Sequence, residues 1–283
     1  MQISRLNWRV REAMFALVRP LFHLGVRATS NLTGKLRPLG EHDGAVVVVR
    51  RPETVPPASL WVGYAETAED YLADGRADMD SVLALLARHG IAQPRVALDL
   101  GCAAGRMTRH FPLADGSEIW GADISAPHVL WCQQNLPELN FVAISTAPHL
   151  PFADDYFDFV SCASVFSHMT DLADAWLLEI RRVLKPGGHV YLTIHDKVSA
   201  KQMQTIYADG VSPATIGQLK MLERGHRIWE PECEMFYFDA DPSAQVFYDR
   251  DHITRKWSRW LDLVTYEGQF HNYQSAMLLR KRG

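Results

Sequence analysis

The chain has 283 residues, of which 47% are hydrophobic and 22% are charged, so it can bury a core and is not disordered by composition. Its formal net charge of −4 gives no reason to expect nucleic acid as a partner. The four cysteines, Cys102, Cys132, Cys162 and Cys233, form neither a C-x-x-C pair nor a secreted disulfide framework. This cysteine usage favours reduced thiols and a cytoplasmic location.

Residues 1–40 form a basic segment that contains one acid, Glu12. Apolar residues recur in it at helical intervals, which predicts a basic amphipathic helix that kinks or ends near Pro20. No apolar run approaches the ~20 residues of a membrane span, and no signal-peptide cleavage site follows. Two interpretations stay open: attachment to an anionic membrane surface, or packing on the rest of the chain or a second subunit. We favour packing.

After residue 40, a run of β-branched residues predicts a strand over 45–50, and the prolines that follow it predict a linker. Two helices should come next, the second over 78–89, with Gly90 as its stop signal. We therefore divide the chain into an N-terminal helical extension with its linker, residues 1–60, and a main domain, residues 61–283.

The most informative stretch is 95–111, RVALDLGCAAGRMTRHF. A short apolar run ends at Asp99, passes through a turn bracketed by Gly101 and Gly105, and continues with helical spacing, which predicts strand, tight turn and helix. Glycines let the backbone bend sharply and let a ligand approach the main chain. The free N–H groups of a helix beginning near Gly105 should face the same space.

A second acid, Asp123, ends the next predicted strand, 118–123. At that distance along a βαβ unit a carboxylate can accept hydrogen bonds from the hydroxyls of a ribose. The pattern also fits NAD-binding proteins, but those usually carry G-x-G-x-x-G, and the carboxylate of Asp99 would repel a pyrophosphate. Asp99 suits a ligand that carries an ammonium group and a sulfonium.

On these residues the sequence resembles the class I S-adenosylmethionine-dependent methyltransferases of the small-molecule type. DLGCAAG corresponds to their first motif, with Ala103 in place of the middle glycine, and Asp123 corresponds to their second acid. LPFADDYFDFVSC and EIRRVLKPGGHVYLTIH resemble the family's fourth strand with its loop and the fifth strand with its preceding helix. After the third strand the family usually has an Asp that holds the adenine, and Ser145 to Pro148 stand here instead.

The resemblance implies a Rossmann-like α/β fold, with a mainly parallel seven-stranded sheet, helices on both faces, and S-adenosyl-L-methionine as cofactor. It implies that Ile124 packs on the adenine, with the Thr146 hydroxyl and the Ala147 N–H as substitutes for the missing Asp. The residues it places around the cofactor are Asp99, Gly101, Cys102, Ala103, Gly105, Asp123, Ile124, Thr146, Ala147 and Ala163. Aromatic residues predicted to contact cofactor or substrate are Trp61, Tyr64, Tyr71 and Tyr237.

The pattern predicts the remaining elements in alternation. Strands are expected over 140–144, 157–163 and 188–195, helices over 126–135, 171–184 and 252–261, and closing strands over 261–266 and 275–281. Residues 196–250 break the alternation and contain two aromatic arms about Asp241-Pro242-Ser243, which predicts a hairpin in a substrate lid. Residues His226, Cys233, Asp239, Asp241 and His252 match no common metal spacing, so no metal is expected.

Methyl transfer displaces an activated leaving group, so the enzyme mainly aligns the reactants and excludes water. An oxygen nucleophile must lose a proton, and His195 and His168 both follow strand ends where the acceptor should lie. His195 is the better candidate for the base, with Asp196 placed to orient it. The sequence thus predicts methylation of a small or medium-sized acceptor, at an oxygen of a saccharide or natural product. Two alternatives stay open: an NAD(P)-dependent oxidoreductase, and a non-catalytic binding protein with the same fold.

Overall fold

The computed structural model describes residues 54–205, 216–217, 219–220, 234–238 and 244–283. The predicted basic N-terminal helix, the predicted strand over 45–50 and the predicted turn at 241–243 lie outside the described residues, as do His226, Cys233, Asp239 and Asp241. None of the described helices is long and apolar enough to cross a membrane.

Seven strands form one sheet, in which five neighbouring strands are parallel and two at one edge are antiparallel. The strands are β1 Val96–Leu100, β2 Glu118–Asp123, β3 Asn140–Ala143, β4 Phe157–Cys162, β5 Leu184–Ile194, β8 Asp262–His271 and β9 Gln274–Arg280. Their order across the sheet is β3-β2-β1-β4-β5-β9-β8. Strand order reverses at β1, because the chain moves outward to β2 and β3 and then returns to β4. A crevice outside the carboxyl ends of β1 and β4 is the expected ligand site of such a sheet.

Helices cover both faces of the sheet. They are α1 Ala68–Arg88, α2 Ala126–Asn135, α3 Ala173–Val183, α4 Lys197–Thr205 and α5 Arg250–Trp257. The helix α1 begins at the cap residue Thr67, whose side chain accepts a hydrogen bond from the N–H of Asp70. The Asp249 side chain caps α5 in the same way.

Successive side chains of the buried strands point to opposite faces of the sheet, and each face has its own apolar core. On one face Leu98, Val160 and Leu192 pack with the α3 and α5 helices. On the other face Phe159 and Tyr191 pack with α1 and α2. Both faces of the sheet are therefore covered, as a mainly parallel sheet requires.

The predicted helix over 105–111 is wrong. The chain turns through these residues and forms only a short 3₁₀ helix, Thr108–His110. Pro112 follows and holds Phe111 in an extended conformation (ψ 138°), so the segment cannot continue as a helix. The prediction of two helices before β1 is also wrong, since α1 runs continuously through Gly75.

The predicted hairpin is present as a separate two-stranded ribbon, in which β6 Met235–Phe238 pairs antiparallel with β7 Gln245–Tyr248. The ribbon joins the rest of the domain at His195, which forms a parallel bridge with Phe247 and whose carbonyl accepts the N–H of Tyr248 (2.8 Å). The ribbon therefore covers the carboxyl end of β5.

Candidate functional site

A small cleft opens at the carboxyl ends of β1 and β4. Its walls come from the segment before α1 and the first turn of that helix, the glycine turn after β1, the residue after β4, and the end of β8. The lining residues are Trp61, Tyr64, Tyr71, Asp99, Gly101, Cys102, Ala103, Arg106, Met107, Ala163 and His271. A wider depression at the opposite, amino end of the strands includes Lys185 and Asp158, which already form an ion pair (2.7 Å).

The glycine turn holds its backbone in left-handed conformations. Gly101 has φ +80° and Gly105 has φ +72°, and Ala103 between them has φ +43°. The N–H groups of Gly101 and Cys102 both donate to the carbonyl of Ala122 (2.7 and 3.2 Å), which ties the turn to the end of β2. A Cβ atom at Gly101 would collide with Val165, so this position requires glycine both for its φ and for the space.

Replacing Ala103 by glycine is expected to stabilise the protein by about 1 kcal/mol, because a left-handed conformation costs alanine roughly that amount. Chemical denaturation of both proteins measures the change. The matched control is Ala104→Gly, since Ala104 is adjacent, fully buried and free of positive φ, and its loss of a methyl group should destabilise. Equal effects of the two substitutions would contradict the assignment of strain to residue 103.

Asp123 braces the same turn. One carboxylate oxygen accepts the N–H of Ala103 (2.8 Å) and the other accepts the N–H of Ser125 (2.7 Å). Each carboxylate oxygen has a second lone pair, so these bonds leave acceptor capacity for further hydroxyl groups. The acid therefore has the local capping role of a turn residue, and it also lies beside the cleft.

Asp99 is almost fully buried, with 3% of its surface exposed. Burial is the main cause that raises the pKa of its carboxyl to about 6, although a hydrogen bond from Thr108 (2.5 Å) and the charge of Arg106 act in the opposite direction. A carboxylate kept in such surroundings destabilises the fold, and a site that binds a cation gives a reason to retain it.

Aromatic rings form the wall contributed by the segment before β1. Trp61 stacks on Tyr71, with ring centroids 5.6 Å apart, and Tyr64 lies beneath the guanidinium of Arg106. Burial raises the pKa of the Tyr71 hydroxyl to about 12, so this side chain stays neutral. The predicted residues Tyr64 and Tyr71 both line the cleft, whereas Tyr237 lies on β6, is 47% exposed, and is not among the cleft residues.

The edge formed by the ends of β2 and β3 carries the residues expected near an adenine. Ile124 is 56% exposed. Thr146 and Ala147 lie in an exposed turn after β3, where the Ala147 N–H already donates to the Ser145 hydroxyl (3.3 Å). The Thr146 carbonyl accepts from the indole of Trp176 (3.2 Å). These contacts fix the turn and leave the Thr146 hydroxyl at the surface.

Three cleft residues were not predicted as site residues: Arg106, Met107 and His271. Arg106 and Met107 follow the glycine turn directly, and the missing helix accounts for the omission, since a helical path would have placed their side chains differently. His271 comes from the end of β8, far along the sequence, and no local pattern marks it. Only the pairing of β8 with β9 at the sheet edge brings it to the cleft.

The two histidines predicted near the acceptor lie together, with ring centroids 6.3 Å apart. His195 is fully buried against Phe247 and Tyr273, and neither of its ring nitrogens has a hydrogen-bond partner among the described residues. Burial, and then the neighbouring His168, lower its pKa to about 3, so the imidazole is neutral. His168 shares a hydrogen bond between Nδ1 and the Ala244 carbonyl (2.7 Å).

The expectation that Asp196 orients His195 is wrong. The Asp196 carboxylate is satisfied by other donors: the N–H of Ser199 (3.0 Å) and the hydroxyls of Ser275 (3.1 Å) and Tyr266. Its role is to fix the start of α4 against the β8–β9 edge. His195 is held by ring packing and by its backbone bridge to the ribbon.

The sequence of residues 98–192 matches a family described as a methyltransferase domain. A ubiquinone/menaquinone biosynthesis C-methyltransferase of Burkholderia cenocepacia is 35% identical over 123 residues, which are 41% of this chain and 50% of the relative. The chain thus spans about half the length of the curated relatives it matches.

Solved structures resemble the fold at low identity. Magnesium protoporphyrin IX methyltransferase of Synechocystis PCC 6803, solved with S-adenosylhomocysteine bound, is 17% identical, with a TM-score of 0.52 over 77% of this chain and 91% of that one. A Pyrococcus horikoshii protein is 18% identical, with a TM-score of 0.51 over 73% and 91% of the two chains. At these identities the likeness supports the fold alone. The match of residues 98–192 to a methyltransferase domain, the sheet order and the two acids beside the glycine turn all agree with the resemblance to the class I S-adenosylmethionine-dependent methyltransferases.

Proposed function

We propose that this protein transfers a methyl group from S-adenosyl-L-methionine to a small or medium-sized acceptor, at an oxygen of a natural product or saccharide. The observation that carries the cofactor assignment is the pair of acids at adjacent strand ends. Asp99 lines the cleft, and Asp123 braces the backbone of the turn that forms its floor.

The two ends of the cofactor fit different parts of the site. The remaining lone pairs of Asp123 can accept the two ribose hydroxyls, and the exposed Ile124 side chain offers an apolar surface to the adenine. Asp99 and the rings of Trp61, Tyr64 and Tyr71 supply negative charge and π faces, which favour an ammonium group and a sulfonium. The same charge disfavours the pyrophosphate of NAD, and this supports the methyl donor over the nicotinamide cofactor.

The acceptor would lie between the cleft and His195. Tyr273 lies beside His195, with the two ring centroids 5.5 Å apart. The walls around His195 are ring faces, and such surfaces suit flat or ring-shaped acceptors. The ring nitrogens of His195 can take a proton from an acceptor hydroxyl once the bound acceptor replaces the apolar surroundings that lower the pKa of the imidazole.

The ribbon β6–β7 covers His195, so we infer that the acceptor enters when the ribbon shifts. The same base could serve an acidic ring carbon, and the curated relatives are described as C-methyltransferases. The position of the transferred methyl group distinguishes the two. With a ¹³C-methyl donor, the carbon chemical shift of the product separates an O-methyl from a C-methyl group.

Calorimetric titration with S-adenosylmethionine, S-adenosylhomocysteine and NAD tests the cofactor first. We expect binding of the first two and none of NAD. Asp123→Ala should weaken both complexes by about 1.5–3 kcal/mol, the range for hydrogen bonds to a charged group. Asp115→Ala, in the exposed turn before β2, serves as a control for the loss of one carboxylate. Unchanged affinity of Asp123→Ala would contradict the ribose assignment, and tight cofactor binding without turnover would favour the non-catalytic alternative.

A further inference from the structure

A buried group of charged and polar side chains, Asp78, Arg106 and His271, lies at the edge of the cleft. Arg106 and His271 line the cleft, and both are nearly buried, with 6% and 3% of their surfaces exposed. Asp78 stands behind them on α1 and contacts each with a different oxygen: Oδ2 lies 2.6 Å from Nη2 of Arg106, and Oδ1 lies 3.5 Å from Nδ1 of His271. One carboxylate therefore positions two side chains that face the ligand space.

The packing of α1 makes this arrangement possible. Gly75 lies one turn before Asp78, and a Cβ atom there would collide with the backbone carbonyl of Arg106. The absence of a side chain lets the helix approach the segment after the glycine turn closely enough for the ion pair. The guanidinium is also fixed from the other side, with its Cζ 4.3 Å from the centroid of the Tyr64 ring.

Arg106 has donors to spare. A guanidinium carries five N–H donors in a planar fork, and the contact with Asp78 uses one nitrogen. Among the described residues that line the cleft, Arg106 is the only permanent cation. A ligand carboxylate entering this cleft would meet no other positive side chain there.

His271 presents a different chemistry. Its pKa is lowered, mainly by burial, so the ring is neutral. Because Nδ1 faces the Asp78 carboxylate, we place the hydrogen of the neutral ring on Nδ1, and Nε2 then keeps its lone pair. Nε2 is buried and has no hydrogen-bond partner among the described residues. A buried acceptor without a donor costs free energy, and an ammonium group in the cleft would satisfy it.

We propose that Arg106 and His271 together bind the amino-acid end of the cofactor, Arg106 taking the carboxylate and the neutral Nε2 of His271 accepting from the ammonium group. Asp78 acts through both as a positioning residue. This assignment rests on the proposed cofactor, since it names the side chains that hold one end of it. It leaves the adenosine end to Asp123 and Ile124.

Binding of partial ligands tests the assignment without turnover. The probes are S-adenosylhomocysteine, its decarboxylated and deaminated analogues, and 5′-methylthioadenosine, which lacks the amino-acid end. We expect Arg106→Met to lower the affinity for S-adenosylhomocysteine and for the deaminated analogue about 10- to 100-fold. The affinities for the decarboxylated analogue and for methylthioadenosine should not change. His271→Phe should weaken the two ligands that keep the ammonium group and spare the other two.

Arg88→Met is the matched control, because it also removes a guanidinium, and Arg88 lies at the end of α1 with its side chain 56% exposed beside Glu267. If Arg106→Met does not fold, Arg106→Lys keeps the charge without the fork, and the same ligand pattern is expected. Equal losses for all four ligands, or no loss for S-adenosylhomocysteine, would overturn the assignment. Failure of the proposed function looks different, because the wild-type protein would then bind none of the four.

Discussion

Replacing His195 by phenylalanine should lower the turnover number by about 10²- to 10⁴-fold, the usual contribution of a general base. The affinity for S-adenosylhomocysteine should not change, because His195 is absent from the cleft residues. Steady-state kinetics and calorimetry on the same preparation measure both quantities. Full activity in this variant would remove His195 as the base and leave His168, whose ring lies 6.3 Å away, as the remaining candidate.

The same substitution should stabilise the protein, and more so in acid. The imidazole has a pKa of about 3 in the folded chain and 6.5 ordinarily, so below about pH 6.5 the unfolded state binds a proton that the native state does not. Stability is therefore lost as the pH falls through this window. By this linkage the advantage of His195→Phe should grow by about 2–3 kcal/mol between pH 7.5 and about pH 4.5.

Urea denaturation at several pH values measures this advantage. His89→Phe, at the exposed end of α1, controls for the loss of an imidazole. A constant difference between wild type and His195→Phe across the range would show that His195 is not buried in its neutral form.

Replacing Asp99 by asparagine should have two opposite effects. The carboxyl has a pKa of about 6 in the folded chain and 3.8 ordinarily, so the native state holds the proton more firmly. The fold therefore loses stability as the pH rises from about 4 to about 6, and above that range the ionised group costs up to about 3 kcal/mol. Asparagine stays neutral and can still accept from Thr108, so we expect Asp99→Asn to be more stable at neutral pH.

Cofactor binding should change in the other direction. We expect Asp99→Asn to weaken the binding of S-adenosylmethionine by about 1.5–3 kcal/mol. The binding of S-adenosylhomocysteine should weaken less, because only S-adenosylmethionine carries the sulfonium charge. In the wild type the affinity for S-adenosylmethionine should rise as the pH increases through about 6, and in the variant this rise should be absent. Equal losses for both ligands would contradict a role for Asp99 in binding the sulfonium.

His195 and Asp99 both lower the stability of the folded protein. A neutral imidazole without hydrogen bonds and a buried carboxylate each destabilise the native state, and substitutions that remove them should stabilise it. Groups of this kind are concentrated at functional sites, where they interact with a ligand when it binds. Each substitution should therefore raise stability while it lowers turnover or cofactor affinity.

The sequence by itself determined the fold class and most of the sheet. Strand β2 and helix α2 have the predicted bounds, because apolar periodicity and proline at the start of a helix are local signals. It also placed Asp99, Asp123 and the glycine turn, since chemistry that needs a sharp backbone bend beside a carboxylate leaves a contiguous motif. The family match over residues 98–192 confirms the resemblance read from that motif.

Tertiary structure decided what the motif could not. It replaced the helix after the turn by a 3₁₀ helix, because Pro112 and the packing of Phe111 override the helical spacing of 105–111. It brought His271 to Asp78 and Arg106, residues far apart in sequence, through the antiparallel edge of the sheet. It also turned Asp196 away from His195. Periodicity reports which side of an element is buried, but partners across elements depend on how those elements pack, and local sequence does not encode that.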